Sequence, residues 1–215
     1  MATRNLEFKT LSTWAVLGSL IVAVFASLAW LSPAPAQSKT VQNLQAAYLG
    51  EANAYVRYLA FAERAQSEEF GEAASLFRAA AYAEHVHMRN FARELRKLGY
   101  EPTLKIDTPV VKPTAENLSA SADVGEAFER DTLYPEFIKE AKAEGNEEAA
   151  RTFQFAMMAE AQHVKLFKTA LSNLQRMNMT SHLYYVCNVC GYTAEHATEP
   201  CPGCGDSKAT FEEMF

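Results

Sequence analysis

Glu84-His85-Val86-His87 and Glu160-Ala161-Gln162-His163 each set a Glu and a His three residues apart, inside long Ala-rich stretches free of Gly and Pro. On a helix, residues at that spacing share a face. Each face then offers one oxygen and one nitrogen ligand. Two such faces, joined by one carboxylate from each of two further helices, make a paired metal site inside a four-helix bundle. Glu51 and Glu129 stand where those carboxylates are needed. The expected ligands, and catalytic candidates, are therefore Glu51, Glu84, His87, Glu129, Glu160 and His163. Hard carboxylate oxygens with one imidazole per ion suit iron or manganese. Bundle geometry makes Glu84 and Glu160 the bridging pair, with Glu51 and His87 completing one ion and Glu129 and His163 the other. His85, His182 and His196 are expected not to be ligands; Tyr55, Tyr58 and Tyr82 read as core, with a Tyr near Glu51 placed to hydrogen-bond a ligand.

Apolar residues at helical spacing define the elements that must carry these groups. The first helix spans 40–66, with Leu44, Ala47, Tyr48, Tyr55 and Tyr58 on the stripe that contains Glu51. The second spans 72–98, between Gly71 and Gly99. Residues 100–120 contain Pro102, Pro109 and Pro113 and read as an irregular connection. A connection that long runs the length of a bundle and leaves the second and third helices parallel. The third spans 119–145 with Val124, Phe128, Glu129, Leu133 and Phe137 inward and a kink at Pro135. The fourth spans 146–177. The fold class is thus mainly α, a bundle over 40–179 followed by a small module over 182–215. A chain of 215 residues with 49% hydrophobic content is long enough for that one core and its satellite.

All four cysteines belong to the module, as Cys187-Asn188-Val189-Cys190 and Cys201-Pro202-Gly203-Cys204. A disulfide framework spreads its cysteines across distant elements, whereas two close CxxC pairs gather four thiolates around one ion. A ribbon this small holds no core without its metal.

Arg4 and Lys9 precede an uncharged apolar run, Trp14 to Leu31, which is followed by a small-residue ending at Ala36. These are the parts of a signal peptide cleaved after Ala36, and the run also approaches the length of a retained membrane anchor. In both cases the positive charges lead, so the folded part is expected outside the cytoplasm. The net charge of −6 and the lack of a basic run with interleaved aromatics exclude nucleic acid as the expected partner.

Gly50-Glu51-Ala52-Asn53-Ala54-Tyr55-Val56-Arg57-Tyr58, Glu84-x-x-His87, Glu129 followed by Leu133-Tyr134-Pro135, Ala159-Glu160-Ala161-Gln162-His163 and the closing cysteine pairs together resemble rubrerythrin over residues 40–215. The resemblance implies a ferritin-like di-iron bundle with a rubredoxin-like Fe(Cys)4 module held by Cys187, Cys190, Cys201 and Cys204. It also implies reduction of hydrogen peroxide in oxidative-stress defence, electrons passing through the Fe(Cys)4 centre from a separate donor, and a homodimer. Members usually carry a second Glu three residues after the third-helix ligand; counted from Glu129 that position is Thr132, and neighbouring Asp131 is turned about 100° away. The ligand set then looks like the plainer four-Glu, two-His set of other ferritin-like proteins. Two readings stand beside the peroxidase: a ferroxidase or iron-handling protein acting on dioxygen, and a non-catalytic bundle with a zinc ribbon.

Overall fold

Ser38 opens the first helix, its hydroxyl accepting a hydrogen bond from Val41 N at 3.3 Å. The Glu144 carboxylate takes two more of the free first-turn amides, Lys39 N at 2.8 Å and Thr40 N at 2.9 Å. Helix α1 then runs Lys39–Ser67, and a tight turn returns the chain as α2, Gly71–Lys97. This computed structural model describes residues 37–176 and 180–215, all within one compact unit. The expected leader, with Arg4, Lys9, Trp14 to Leu31 and the Ala36 site, lies outside the described residues. No helix among the described residues is long and apolar enough to cross a membrane.

The connection after α2 follows α1 from end to end. Gln45 exchanges hydrogen bonds with the backbone of Thr103. Asn53 does the same with Lys105 and Asp107. Glu68, just past the end of α1, accepts from Thr114 N at 2.8 Å. The third helix therefore starts at the end of the bundle where α2 starts and runs parallel to it, as the proline-rich spacing predicts.

That third helix is not one regular element. It consists of α3 (Thr114–Ala120), a wide π-turn over Ser121–Glu126, a second over Glu129–Leu133, and α4 (Tyr134–Ala143). Pro135 falls in the first turn of α4. A missing N–H costs least there, and the π-turn just before it accommodates the ring. Wide turns take an extra residue each, so the inward face drifts from a regular helical stripe. Val124 is 71% and Phe128 51% exposed, contrary to the inward positions expected of them, while Ala122 and Glu126 are buried.

Asn146 caps α5, Glu147–Asn173, by accepting from Ala149 N at 3.0 Å; the helix ends in a tight turn, Leu174–Arg176. Two apolar layers fill the bundle. One stacks Tyr58, Phe61, Phe77 and Phe167, the other Phe91, Tyr134, Phe137 and Phe153. On α2 Glu84 falls between Phe77 and Phe91, and on α5 Glu160 falls between Phe153 and Phe167, so the polar cluster lies between the two layers.

The C-terminal module is a three-stranded antiparallel sheet in the order β2-β1-β3, with β1 Tyr184–Cys187, β2 Thr193–Ala194 and β3 Phe211–Met214. Tyr184 and Val186 join the same apolar layer as Phe77. Arg89 and Asn90 of α2 donate to the carbonyls of Asn188 at 2.6 Å and Val189 at 2.8 Å. These bonds press the first cysteine loop onto the bundle.

Candidate metal centre

Two groups of potential ligands share Glu84 and Glu160. One is Glu51, Glu84, His87 and Glu160, the other Glu84, Glu126, Glu160 and His163, and all are buried. Glu84 sets Oε2 2.8 Å from His87 Nδ1 and Oε1 3.7 Å from His163 Nδ1. Glu160 does likewise, with Oε1 3.0 Å from His87 Nδ1 and Oε2 2.8 Å from His163 Nδ1. Each of these carboxylates spans both histidines, the placement of a bridge. Glu51 lies only beside His87, at 3.5 Å, and Glu126 only beside His163, at 3.5 Å.

The histidine tautomers follow from their outer partners. His87 Nε2 is 2.9 Å from the Cys190 carbonyl oxygen, which only accepts, so Nε2 carries the proton. His163 Nε2 is 2.9 Å from Thr193 Oγ1, whose own proton goes to the Gly191 carbonyl. Thr193 must therefore accept as well. In the neutral ring each Nδ1 keeps its lone pair for a cation, the arrangement in which an outer acceptor fixes a ligand histidine.

Glu126 corrects the position expected of Glu129. It is Glu126, on the first π-turn, that stands beside His163; Glu129 lies one turn on, half-buried, and outside both groups. Its carboxyl is pushed well up by burial and by the charges of Glu51 and Glu126. Thr132 is exposed. Counted from Glu126, the residue three further on is Glu129 and not Thr132.

Two phenols complete the surroundings. Tyr58 donates to Glu126 Oε1 and Tyr134 donates to Glu51 Oε1. Burial and the neighbouring carboxylates raise both phenol pKa values well above the usual range, so they remain donors.

The donor set fits a pair of cations. Glu51 Oε2, Glu84 Oε1, Glu126 Oε2, both oxygens of Glu160 and His163 Nδ1 are buried and complete no hydrogen bond among the described residues. Buried carboxylates without partners are costly. Burial and the charge of Glu160 hold the Glu84 carboxyl well above the carboxylate range, and burial with Glu160 raises Glu126 to about 8. Glu160 goes the other way: burial opposes its charge, but the two imidazoles hold it low. Burial alone lowers an imidazole pKa, yet the carboxylates raise both His87 and His163. Bound cations do for these anions what protons must otherwise do. The chain carries a carboxylate and histidine site for a pair of cations.

Cys187, Cys190, Cys201 and Cys204 form the second site, all four unpaired by disulfides, with ligand atoms within 4.8 Å of one another. Cys190 Sγ and Cys201 Sγ are 3.7 Å apart. A disulfide needs about 2.0 Å. Tetrahedral metal–sulfur bonds of about 2.3 Å put neighbouring sulfurs about 3.8 Å apart, which the observed spacing matches. Hydrogen bonding from Cys190 lowers Cys187 to about 5, while Cys190 is raised chiefly by that same bond and Cys204 is raised by burial to about 12. Four thiolates together require a cation. His85 lies instead against Tyr55 and Tyr82, and His182 against Tyr184, apart from both sites.

Residues 42–171 match the family model described as Rubrerythrin. The chain belongs to the rubrerythrin family. It is 33% identical to rubrerythrin-2 of Clostridium acetobutylicum, over 80% of this chain and 95% of the relative. Nigerythrin of Nitratidesulfovibrio vulgaris is 32% identical over 82% of this chain and 87% of its own. A solved structure of nigerythrin in a mixed-valent state superposes with a TM-score of 0.74 at 32% identity, covering 86% of this chain and 90% of the other. The ferritin-like bundle with a rubredoxin-like module is thus a rubrerythrin architecture. Sequence reasoning about this rubrerythrin missed Glu126, Tyr134, Gly191 and Thr193. The Glu126-x-x-Glu129 spacing, which places two carboxylates on one face, was the available signal for the first.

Proposed function

We propose that the chain is a peroxidase that reduces hydrogen peroxide at the carboxylate cluster with electrons delivered through the four-cysteine site. The His87 Nε2 to Cys190 carbonyl bond carries this reading, because it joins the two sites through a single hydrogen bond. Hydrogen peroxide takes up two electrons and two protons and leaves as two waters. The iron pair, when bound, supplies both electrons at one place. In this assignment Glu84 and Glu160 bridge, and Glu51 with His87 and Glu126 with His163 complete the ions. Glu129 is the additional carboxylate, and Cys187, Cys190, Cys201 and Cys204 hold one iron. Tyr58 and Tyr134 hold Glu126 and Glu51 in place by donating to them.

The ferroxidase reading rested on Thr132 in place of the additional Glu, and Glu129 in that role removes its ground. With a chemical reductant, peroxide consumption should require the cysteine site: Cys204→Ser should lose most turnover at unchanged bundle metal content. Full turnover in that variant contradicts the assignment.

We further infer a location outside the cytoplasm, supported by the charged, apolar and small-residue order of residues 1–36 and by a compact unit that begins at Gln37. Fractionation with N-terminal sequencing tests it; a cytoplasmic protein that retains Met1 contradicts it. A dimer and a separate electron donor are what the family likeness supports.

A further inference from the structure

A pocket of about 300 Å³ opens between α1 and the first π-turn and is lined by Arg57, Phe61, Ala120, Ser121, Val124 and Gly125. None of the clustered ligands lines it. The inner wall is nonetheless thin. A Cβ built on Gly125 would stand 3.8 Å from the Tyr58 hydroxyl, and that hydroxyl donates to Glu126. One phenol therefore separates the pocket from the metal cluster.

The walls are apolar except at two points. Ser121 is 5% exposed, and its Oγ has no hydrogen-bond partner among the described residues. Arg57 is half-buried, its guanidinium carbon 5.4 Å over the Tyr58 ring. Arg57 makes no ion pair among the described residues; burial opposes its charge, but Tyr58, Glu129 and Glu126 lie close enough to hold it. A permanently charged donor and an unsatisfied hydroxyl thus share a small apolar pocket directly outside a cluster of carboxylates.

We propose that this pocket is the port by which hydrogen peroxide reaches the carboxylate cluster, held by a hydrogen bond from Arg57 and one to Ser121. This rests on the peroxidase reading. Peroxide is neutral, small, and both donor and acceptor, so it satisfies both groups at once. A guanidinium offers only donors and repels cations. Free ferrous ions are therefore turned away at the same place, and dioxygen, a poor acceptor with no proton to donate, gains nothing from either residue.

The test uses two forms of the full chain. In zinc-loaded protein, where no turnover occurs, the Arg57 Nε–Hε resonance should shift saturably as hydrogen peroxide is added, and Ser121→Val should weaken that binding. In reduced iron-loaded protein, Arg57→Gln and Ser121→Val should each lower the ratio of peroxide to dioxygen rate constants about tenfold, the scale of losing one hydrogen bond to a charged or buried group. Metal content should not change. Absence of a saturable shift, or equal losses with both oxidants, overturns the port. A wild-type iron protein that peroxide does not oxidise overturns the peroxidase reading instead.

Discussion

His87 donates its Nε2 proton to the carbonyl oxygen of Cys190 at 2.9 Å, so a side chain of the carboxylate cluster is bonded to the backbone of a residue in the four-sulfur cluster. Gly191 makes the approach possible. Its φ of +76° is left-handed, and a Cβ there would stand 2.4 Å from His87 Nε2. Gly191→Ala should therefore displace the loop. We expect transfer between the two sites to slow about tenfold or more, as outer partners of metal ligands commonly do when lost. The visible iron–thiolate spectrum should persist; unchanged transfer kinetics would show that this contact does not couple the sites.

Glu126 and Glu129 should separate in metal analysis. Glu126→Gln keeps an acceptor for Tyr58 but removes the charge beside His163, and the bundle should lose one of its two ions. Glu129→Gln should keep both ions and alter only the reaction rate. The reverse pattern would restore Glu129 as the ligand.

Thr193→Val removes the acceptor for His163 Nε2 at nearly constant volume. The imidazole then loses the bond that fixes its tautomer, and affinity at that ion should fall about 10–100-fold. Isothermal titration of metal-free protein with cobalt checks this, and equal affinity would make Thr193 a packing residue only.

Sequence legibility followed helix regularity. Glu51, Glu84, His87, Glu160 and His163 sit on long α-helices, where a period of 3.6 places every side chain, and all five come together. The third helix breaks that period with two π-turns, so Val124 and Phe128 face solvent and the carboxylate beside His163 is that of Glu126. Thr193 and the Cys190 carbonyl were unreadable for another reason. Their contacts join residues 30 and 103 positions apart, one through a backbone atom that has no sequence identity.

Glu144 holds the start of α1 and should give stability a pH signature. Its hydrogen bonds from Thr40 and Lys39 lower its pKa from the ordinary glutamate value of about 4.5 to about 2. A depressed carboxyl pKa stabilises the fold above the unfolded value and loses that stabilisation as pH falls through the folded one. The difference in thermal midpoint between wild type and Glu144→Gln should thus be present at pH 7 and shrink between about 4.5 and 2. A gap that persists unchanged to pH 2 would place its origin elsewhere.

The most direct test of the functional claim is stopped-flow mixing of fully reduced, iron-loaded protein with hydrogen peroxide or with dioxygen, followed at the iron–thiolate absorption. Peroxide should oxidise the four-sulfur site through the bundle at least about tenfold faster than dioxygen, a barrier difference of about 1.4 kcal/mol. Equal rates, or a four-sulfur site that stays reduced while peroxide is present, would contradict peroxide reduction as the function.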